Sequence, residues 1–292
     1  MAREIYQAVA DGILVGGVYA LMAVGLTLIF GVLDIINIAQ GVLVILGAYL
    51  SYQLTVSLHL DLFLGLLITV PAMFVIGVVI HWAFIRRLRG RERTSMTLLV
   101  SYAVALIIEG ILYEIYGPDV KQLNAWYVTS SVHVAGFYLP YIYLLGFGLA
   151  VVLVAALYLL LYRTGFGRSV RATMQDEVAA RLIGIEVNRV AAITFGIGVA
   201  VTAVGGMVFG ATNSFNPNSG YDLISRLLAI VILGGLGSIG GALVAAVFML
   251  TLESLVDIWS PDWATVVFYA ALVLVLVIRP SGFLGRAPGR TA

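Results

Sequence analysis

The sequence contains no cysteine among its 292 residues, and only 11% of its residues are charged. The missing cysteines exclude disulfide bonds, thiolate metal sites and cysteine nucleophiles. The scarcity of charge excludes an ordinary soluble domain, because 62% of the residues are hydrophobic and the mean hydropathy is +1.07, whereas soluble domains contain about 45–50% apolar residues. The chain therefore belongs in a lipid bilayer.

Several motifs of enzymes and of exported proteins are also missing. The three histidines, His59, His81 and His133, are far apart and show no metal-binding spacing. No G-x-x-x-x-G-K-[ST] pattern occurs, so the chain has no P-loop for ATP. The first residues, MAREIYQAVADG, lack the basic and short apolar regions of a signal peptide, and we expect them to remain in the mature protein. We therefore do not expect an enzyme.

What the sequence does contain is repeated runs of about 20 apolar residues. A helix of that length crosses the roughly 30 Å hydrocarbon core and satisfies its own backbone hydrogen bonds there, whereas a β-barrel would show short alternating segments. We predict an all-α polytopic membrane protein with one domain over residues 1–292. The eight apolar segments cover residues 8–31, 38–57, 62–85, 95–116, 141–162, 189–212, 222–256 and 263–279.

Arginine orients these segments, because thirteen of the sixteen basic residues lie in three places. The positive-inside rule predicts that all three places, including the C-terminus, are cytoplasmic. The connection 117–140 is then outside, and its Trp126 and Tyr127 suit a membrane interface. The three groups are Arg86, Arg87, Arg89, Arg91 and Arg93; Arg163, Arg168, Arg171, Arg181 and Arg189; and Arg279, Arg286 and Arg290.

The seventh apolar segment, 222–256, is too long for one crossing, since 35 residues of helix measure roughly 50 Å. It is interrupted by LGGLGSIGG, which contains Gly235, Gly237 and Ser238. We expect a re-entrant segment of two short helices that enter from outside, turn at depth on these glycines and return. The G-x-G-x-x-G spacing within it is not read as a dinucleotide site, because no strand precedes it.

A second interruption, FGVLDIINIAQG at 30–41, introduces Asp34, Asn37 and Gln40 into an apolar run. It is either a cytoplasmic turn or a break at membrane depth, and the side of the N-terminus depends on which. Interrupted segments in both halves indicate a transport path. Glu109 is the other acidic residue expected near membrane depth.

The path prediction therefore comprises two groups of residues, and it has rivals. A structural hydrogen bond would explain Asp34 or Glu109 without transport, and an ion-coupled secondary transporter would use either as a proton or sodium ligand. An intramembrane hydrolase using Ser238 would lack a base. The path residues are Asp34, Asn37, Gln40, Glu109, Gly235, Gly237 and Ser238.

A charged island, 168–189, separates two apolar segments. Within it Met174, Val178, Leu182 and Ile185 recur at three- and four-residue spacing, which predicts an amphipathic helix of about three turns stopped by Gly184. This helix either lies on the lipid surface or inserts into a groove of another protein. Neighbouring acidic residues and a mostly small apolar face favour the protein groove.

The island also carries a resemblance. Its sequence Val178-Ala179-Ala180-x-x-x-Gly184 resembles the EAA loop of ABC-importer permeases, although Val178 stands where glutamate is usual and Glu177 lies one place early. The segments 19–49, 164–185 and 227–246 resemble permeases of branched-chain amino-acid ABC importers. These matches follow the same order over nearly the whole chain, and we identify the chain as a member of that family.

The resemblance implies a permease subunit in the bacterial cytoplasmic (inner) membrane that imports branched-chain or other hydrophobic amino acids. It implies a second related permease, two cytoplasmic ATPases that bind ATP and Mg²⁺, and an external solute-binding protein, with no cofactor on this chain and no nucleic acid. Similar permeases serve urea, short amides or aromatic acids, so these substrates stay open. The implied ATPase-coupling residues are Met174, Asp176, Glu177, Val178, Ala179, Ala180, Arg181, Leu182 and Gly184.

Overall fold

The structure is a computed structural model that describes residues 2–88, 93–134 and 137–285. Arg89, Arg91, Arg286 and Arg290 lie outside these ranges, as do the side chains of Arg93 and His133. Within the described ranges the helices are α1 Ala2–Leu33, α2 Gln40–Leu58, α3 Leu62–Ala83, α4 Arg93–Tyr116, α5 Trp126–Thr129, α6 Tyr141–Arg163, α7 Gly165–Gln175, α8 Glu177–Leu182, α9 Val187–Thr212, α10 Gly220–Gly234, α11 Ile239–Asp257 and α12 Pro261–Ile278.

Eight helices of the described part are long and apolar enough to cross a membrane, namely α1, α2, α3, α4, α6, α9, α11 and α12. The only strands there are β1 Ser131–Val134 and β2 Phe137–Pro140, which form an antiparallel hairpin. The prediction of an all-α polytopic membrane protein with eight apolar segments is therefore confirmed.

Helices α1 and α9 form the centre of the bundle. About 72% of the apolar window of α1 and 78% of that of α9 are buried, against 11% for α12. Glycines allow the close approach: a Cβ at Gly12 would lie 2.5 Å from the Thr251 Cα, and one at Gly16 would lie 2.8 Å from the Val247 Cα. Helix α1 therefore runs antiparallel along α11, with its backbone almost in contact.

One end of the bundle collects the arginines, and we call it the basic end. Arg86, just after α3, and Arg181 of α8 line the same groove. The Phe283 amide, four residues after Arg279, donates to the Leu233 carbonyl at the end of α10. The three arginine groups thus meet at one end, which is the arrangement that loops facing a single compartment require.

The opposite end, which we call the far end, holds the N-terminus and the 117–140 connection. The Gln7 amide donates to the Tyr138 carbonyl at 2.6 Å and accepts from the Tyr138 amide at 3.0 Å. Nearby, the Tyr127 hydroxyl donates to Asp61 at 2.7 Å, and burial together with this bond raises the pKa of Tyr127. The phenol therefore stays protonated and holds the connection against the start of α3. The sequence left open where the N-terminus lies; the structure places it opposite the basic end.

The glycine interruption in 222–256 does separate two helices, but its position differs from the prediction. Gly235 and Gly237 have φ values of 97° and 80°, which favour glycine, and they form the turn between α10 and α11. Because α11 has 19 residues and membrane-spanning length, the turn lies at the basic end and not at mid-depth. The short helix is α10, with 15 residues, and its first residue packs on Val42 of α2.

Candidate functional site

The break between α1 and α2 lies inside the bundle. Asp34 adopts φ 53° and its amide donates to the Phe30 carbonyl at 2.8 Å, which ends α1. The chain then turns back along α9, and Gln40, fully buried, donates to the Thr202 hydroxyl at 2.5 Å. Because Thr202 lies well within the α9 span, the structure shows a break at depth instead of a turn at the surface.

A chain of buried hydrogen bonds holds this break. The Asn37 side-chain amide donates to the Gln40 carbonyl oxygen at 3.0 Å, and the Thr202 hydroxyl donates to the Gly198 carbonyl at 2.7 Å. Asn37, Gln40 and Thr202 are at most 1% exposed. Since buried polar groups are costly unless paired, this polar cluster (Asn37, Gln40 and Thr202) fixes the unwound segment against α9. Sequence reasoning missed Thr202, which is 162 residues from its partner.

The polar cluster fits only because α1 carries glycine opposite it. A Cβ at Gly25 would lie 2.5 Å from the Gly198 carbonyl oxygen and 3.3 Å from the Gln40 amide nitrogen. We expect Gly25→Ala to lower the free energy of unfolding by about 1–3 kcal/mol, because α1 and α9 must move apart. Gly148→Ala in α6 is the matched control, since a Cβ there meets nothing within 4 Å. Unfolding in mixed micelles measures both variants, and equal stabilities would contradict the prediction.

Glu109 lies on α4, toward the far end, and contacts α10. The Tyr221 hydroxyl donates to the Glu109 carboxylate at 2.5 Å. Further along α4, the Ser101 hydroxyl accepts from the Ile38 amide at 3.2 Å. Helix α4 is therefore bordered by α10 at Glu109 and by the α1–α2 break at Ser101. The adjoining side of α10 exposes Ser225.

The predicted path residues thus form two groups and not one. Asn37 and Gln40 form the buried cluster, with the exposed Asp34 just before it and Glu109 farther along α4. Gly235, Gly237 and Ser238 lie at the basic end, where the Ser238 hydroxyl accepts from the Gly241 amide at 3.1 Å and caps α11. The glycine turn is therefore near the charged island and away from the polar cluster.

The charged island forms two helices where the sequence pattern predicted one. Asp176 is extended, with φ −157° and ψ 112°, and separates α7 from α8. Its carboxylate accepts from the Val178 amide at 2.8 Å and the Ala179 amide at 3.0 Å, so it caps α8. The one-helix prediction was wrong because spacing alone does not reveal that an aspartate turns to cap a new helix.

The predicted stop at Gly184 is confirmed. Gly184 has φ 86°, and its amide donates to the Arg181 carbonyl at 3.1 Å. The Ile185 amide donates to the Ala180 carbonyl at 3.0 Å. This pair of bonds is the Schellman arrangement, in which a left-handed glycine closes a helix.

The predicted apolar face of the island is divided between the bundle and solvent. Met174 packs with its Cε beside Gly31, and Ile185 packs on the cluster around Val170. Val178, Leu182 and Ile183 are instead 68%, 83% and 74% exposed. We call these three residues the exposed triad. Six-residue α8 thus presents apolar side chains outward, while Ala180 is its buried contact.

Helix α7 joins α8 to the centre of the bundle. Val170 is fully buried, and α7 packs against α6, α1 and α9. Arg171 donates to the Leu161 carbonyl and lies over the Tyr162 ring at 5.1 Å. A displacement of α8 would therefore act on the two central helices through α7.

A buried ion pair escaped sequence reasoning. Arg226 of α10 donates to the Glu253 carboxylate of α11 at 2.7 Å, and their side chains are only 24% and 15% exposed. The Arg226 guanidinium also lies over the Phe268 ring of α12, 5.4 Å from its centroid. The available signal was one arginine within an apolar segment, since such a residue needs a partner in a bilayer.

These features define a class of protein: a multi-pass α-helical membrane protein with a buried polar break and an apolar helix exposed at its basic end. Comparison with known sequences gives the family. Residues 8–276 match the family model described as the permease component of the branched-chain amino acid transport system, and the chain belongs to that family. It is therefore the permease of an ABC transporter, which has partner subunits, and is not itself an enzyme.

Individual relatives agree with the family. The chain is 29% identical to the high-affinity branched-chain amino acid transport system permease protein BraD of Pseudomonas aeruginosa, over 97% of each chain. It is 29% identical to LivH of Escherichia coli K12, another such permease, over 96% of this chain and 95% of LivH. It is 31% identical to LsrC, an autoinducer 2 import system permease protein of Escherichia coli, over 82% of this chain and 68% of LsrC. No solved structure matches.

Proposed function

We propose that this chain is the membrane subunit of an ATP-driven importer of branched-chain or other hydrophobic amino acids. The observation that carries the proposal is the exposed triad on α8, an apolar surface anchored through α7 to the central helices α1 and α9. A helix of this kind suits a groove on an ATPase. The resemblance of BraD and LivH to this chain supports the amino-acid substrate.

The proposed assembly contains a second related permease, two ATPases that bind ATP and Mg²⁺, and an external solute-binding protein. This chain would contribute one permease domain over residues 1–292 and bind no cofactor. The basic end would face the cytoplasm of a bacterium, because its loops concentrate arginine. The membrane would then be the inner membrane, with the N-terminus outside.

The proposed path runs beside α4, between Glu109 and Asp34. Charged and polar side chains at membrane depth are costly in lipid and normally face water or protein. Glu109, Ser225 and the α1–α2 break lie on neighbouring parts of α4 and α10. This face would adjoin the second permease, with solute passing between the two subunits. Movement of α8 would switch the path by displacing α1, on which the buried break depends.

Uptake by reconstituted vesicles tests the function. Vesicles containing the chain, its second permease, the ATPases and the binding protein should accumulate labelled leucine only with ATP on the ATPase side. An ion gradient alone should drive none. Uptake by vesicles that hold this chain alone, driven by protons or sodium without ATP, would establish the rival secondary transporter with Asp34 or Glu109 as ligand.

The substrate has a separate test, because a ligand raises the apparent stability of the protein that binds it. Leucine, isoleucine or valine should raise the melting temperature of the solute-binding protein, whereas urea and acetamide should not. If only urea, a short amide, an aromatic acid or autoinducer 2 raises it, the amino-acid assignment is wrong and the transporter class is retained.

A further inference from the structure

The largest described groove at the basic end lies between α3 and the junction of α8 with α9. It has a volume of about 520 Å³. Its lining includes Trp82 and Arg86 from the end of α3 and its following turn, Arg181 from α8, and Ile185 and Arg189 from the α8–α9 junction. We call it the basic groove. Neither the proposed path nor the exposed triad uses it.

The charge of the basic groove favours an anion. Arg86 takes part in none of the ion pairs formed among the described residues. Arg189 is paired with Glu186 only at 3.6 Å, and both side chains are about three-quarters exposed, so that pair is weak and exchangeable. Arginine presents a planar fork of donors that matches phosphate oxygens. Two of the three arginines are thus available to a phosphate group.

The surroundings favour an anion that carries an acyl chain. Val75, Val79 and Trp82 are 58%, 56% and 59% exposed and follow one another along one side of α3. This stripe leads from the middle of an apolar span to the mouth of the basic groove. Tryptophan at that position is typical of the interface between headgroups and hydrocarbon. A free phosphate would use the arginines but not the stripe.

We propose that the basic groove binds the phosphate headgroup of an anionic phospholipid, whose acyl chain lies along the Val75, Val79 and Trp82 stripe of α3. Basic pockets at the ends of membrane helices bind anionic lipids in this manner. The lipid bridges α3 to the α8–α9 junction, because Arg86 comes from one side and Arg189 from the other. It therefore restrains the segment through which α8 is attached to α9.

Trp82 provides the probe, because the other tryptophans are at the far end. Trp126 lies in α5, and Trp259 and Trp263 lie at the connection between α11 and α12. The full chain is reconstituted in phosphatidylcholine vesicles that contain brominated phosphatidylglycerol or brominated phosphatidylcholine at equal fractions. Subtracting the fluorescence of Trp82→Phe isolates the quenching of Trp82. Phosphatidylglycerol should quench Trp82 more strongly than phosphatidylcholine does.

Substitutions distinguish the groove from general surface charge. Arg86→Gln and Arg189→Gln should each reduce the preference for phosphatidylglycerol about 5-fold. Arg279→Gln is the matched control, an exposed arginine at the same end outside the groove, and should leave the preference unchanged. Quenching by phosphatidylcholine should be equal in all variants, which reports that they fold.

Three results would overturn the proposal. Equal quenching by the two lipids would show that the groove does not select an anionic lipid. An equal effect of Arg279→Gln would show only general attraction to a charged surface. Abolition of the preference by millimolar inorganic phosphate would show that the groove binds free phosphate and not a headgroup. Because the chain is tested alone, none of these outcomes depends on the ATPases or on transport.

Discussion

Replacing Arg226 by methionine should cost the protein about 3 kcal/mol or more in its free energy of unfolding. The substitution leaves the Glu253 carboxylate, only 15% exposed, without its cation, and breaking a buried pair typically costs about 3–5 kcal/mol. Helices α10 and α11 would lose the bond that joins them beyond their glycine turn. Unfolding in mixed micelles should show the loss, and Glu253→Gln should show a similar one.

The double variant Arg226→Met with Glu253→Met separates charge from packing. Removing both charges leaves neither one unpaired, so most of the lost stability should return. The pair Glu177 with Arg181 is the control, because its distance of 2.6 Å is as short but its side chains are 36% and 55% exposed. Arg181→Gln should cost about 0.5 kcal/mol or less. Equal losses at Arg226 and Arg181 would mean that burial does not decide the strength of these pairs.

Leu182→Asp should weaken binding of the ATPase at least 30-fold without destabilising the chain. Leu182 is 83% exposed at the centre of the exposed triad, so the folded permease loses no packing. In the proposed complex the same position is buried, and buried apolar anchors at interfaces contribute about 2 kcal/mol or more. The affinity of the purified permease for its ATPase, measured in detergent, gives the result.

Two variants control this experiment. Leu182→Met keeps an apolar side chain of similar volume and should retain most of the affinity. Val120→Asp places the same charge on a residue that is 61% exposed at the far end, where no ATPase would bind, and should have no effect. If Leu182→Asp binds the ATPase as well as the unmodified chain does, α8 is not the contact and the proposed coupling fails.

The charged substitutions that the sequence alone suggested are less clean tests. Asp176 caps α8 through the Val178 and Ala179 amides, and Glu177 pairs with Arg181. Reversing these charges would alter the shape of α8 as well as its surface, since loss of a cap costs about 1 kcal/mol. Reduced ATPase binding by such variants would therefore have two explanations. The exposed triad gives one.

Much of the fold could be predicted because it depends on short stretches of sequence. A helix in lipid satisfies its backbone within its own span, so apolar length located the eight spanning helices. The stop at Gly184 could likewise be predicted, because a left-handed turn favours glycine wherever the rest of the chain lies. The depth of the glycine turn could not, since it depends on which of α10 and α11 has full length.

The sequence by itself determined that this protein crosses a membrane several times, belongs to a permease family and carries an interrupted segment in each half. Only the tertiary structure decided that Gln40 is held by Thr202, that Arg226 is neutralised by Glu253, and that the apolar side of the island splits between core and surface. The reason is physical. Backbone partners in a membrane helix are four residues away, whereas the partners of buried side chains come from other helices, and the crossings that bring them together are set by packing.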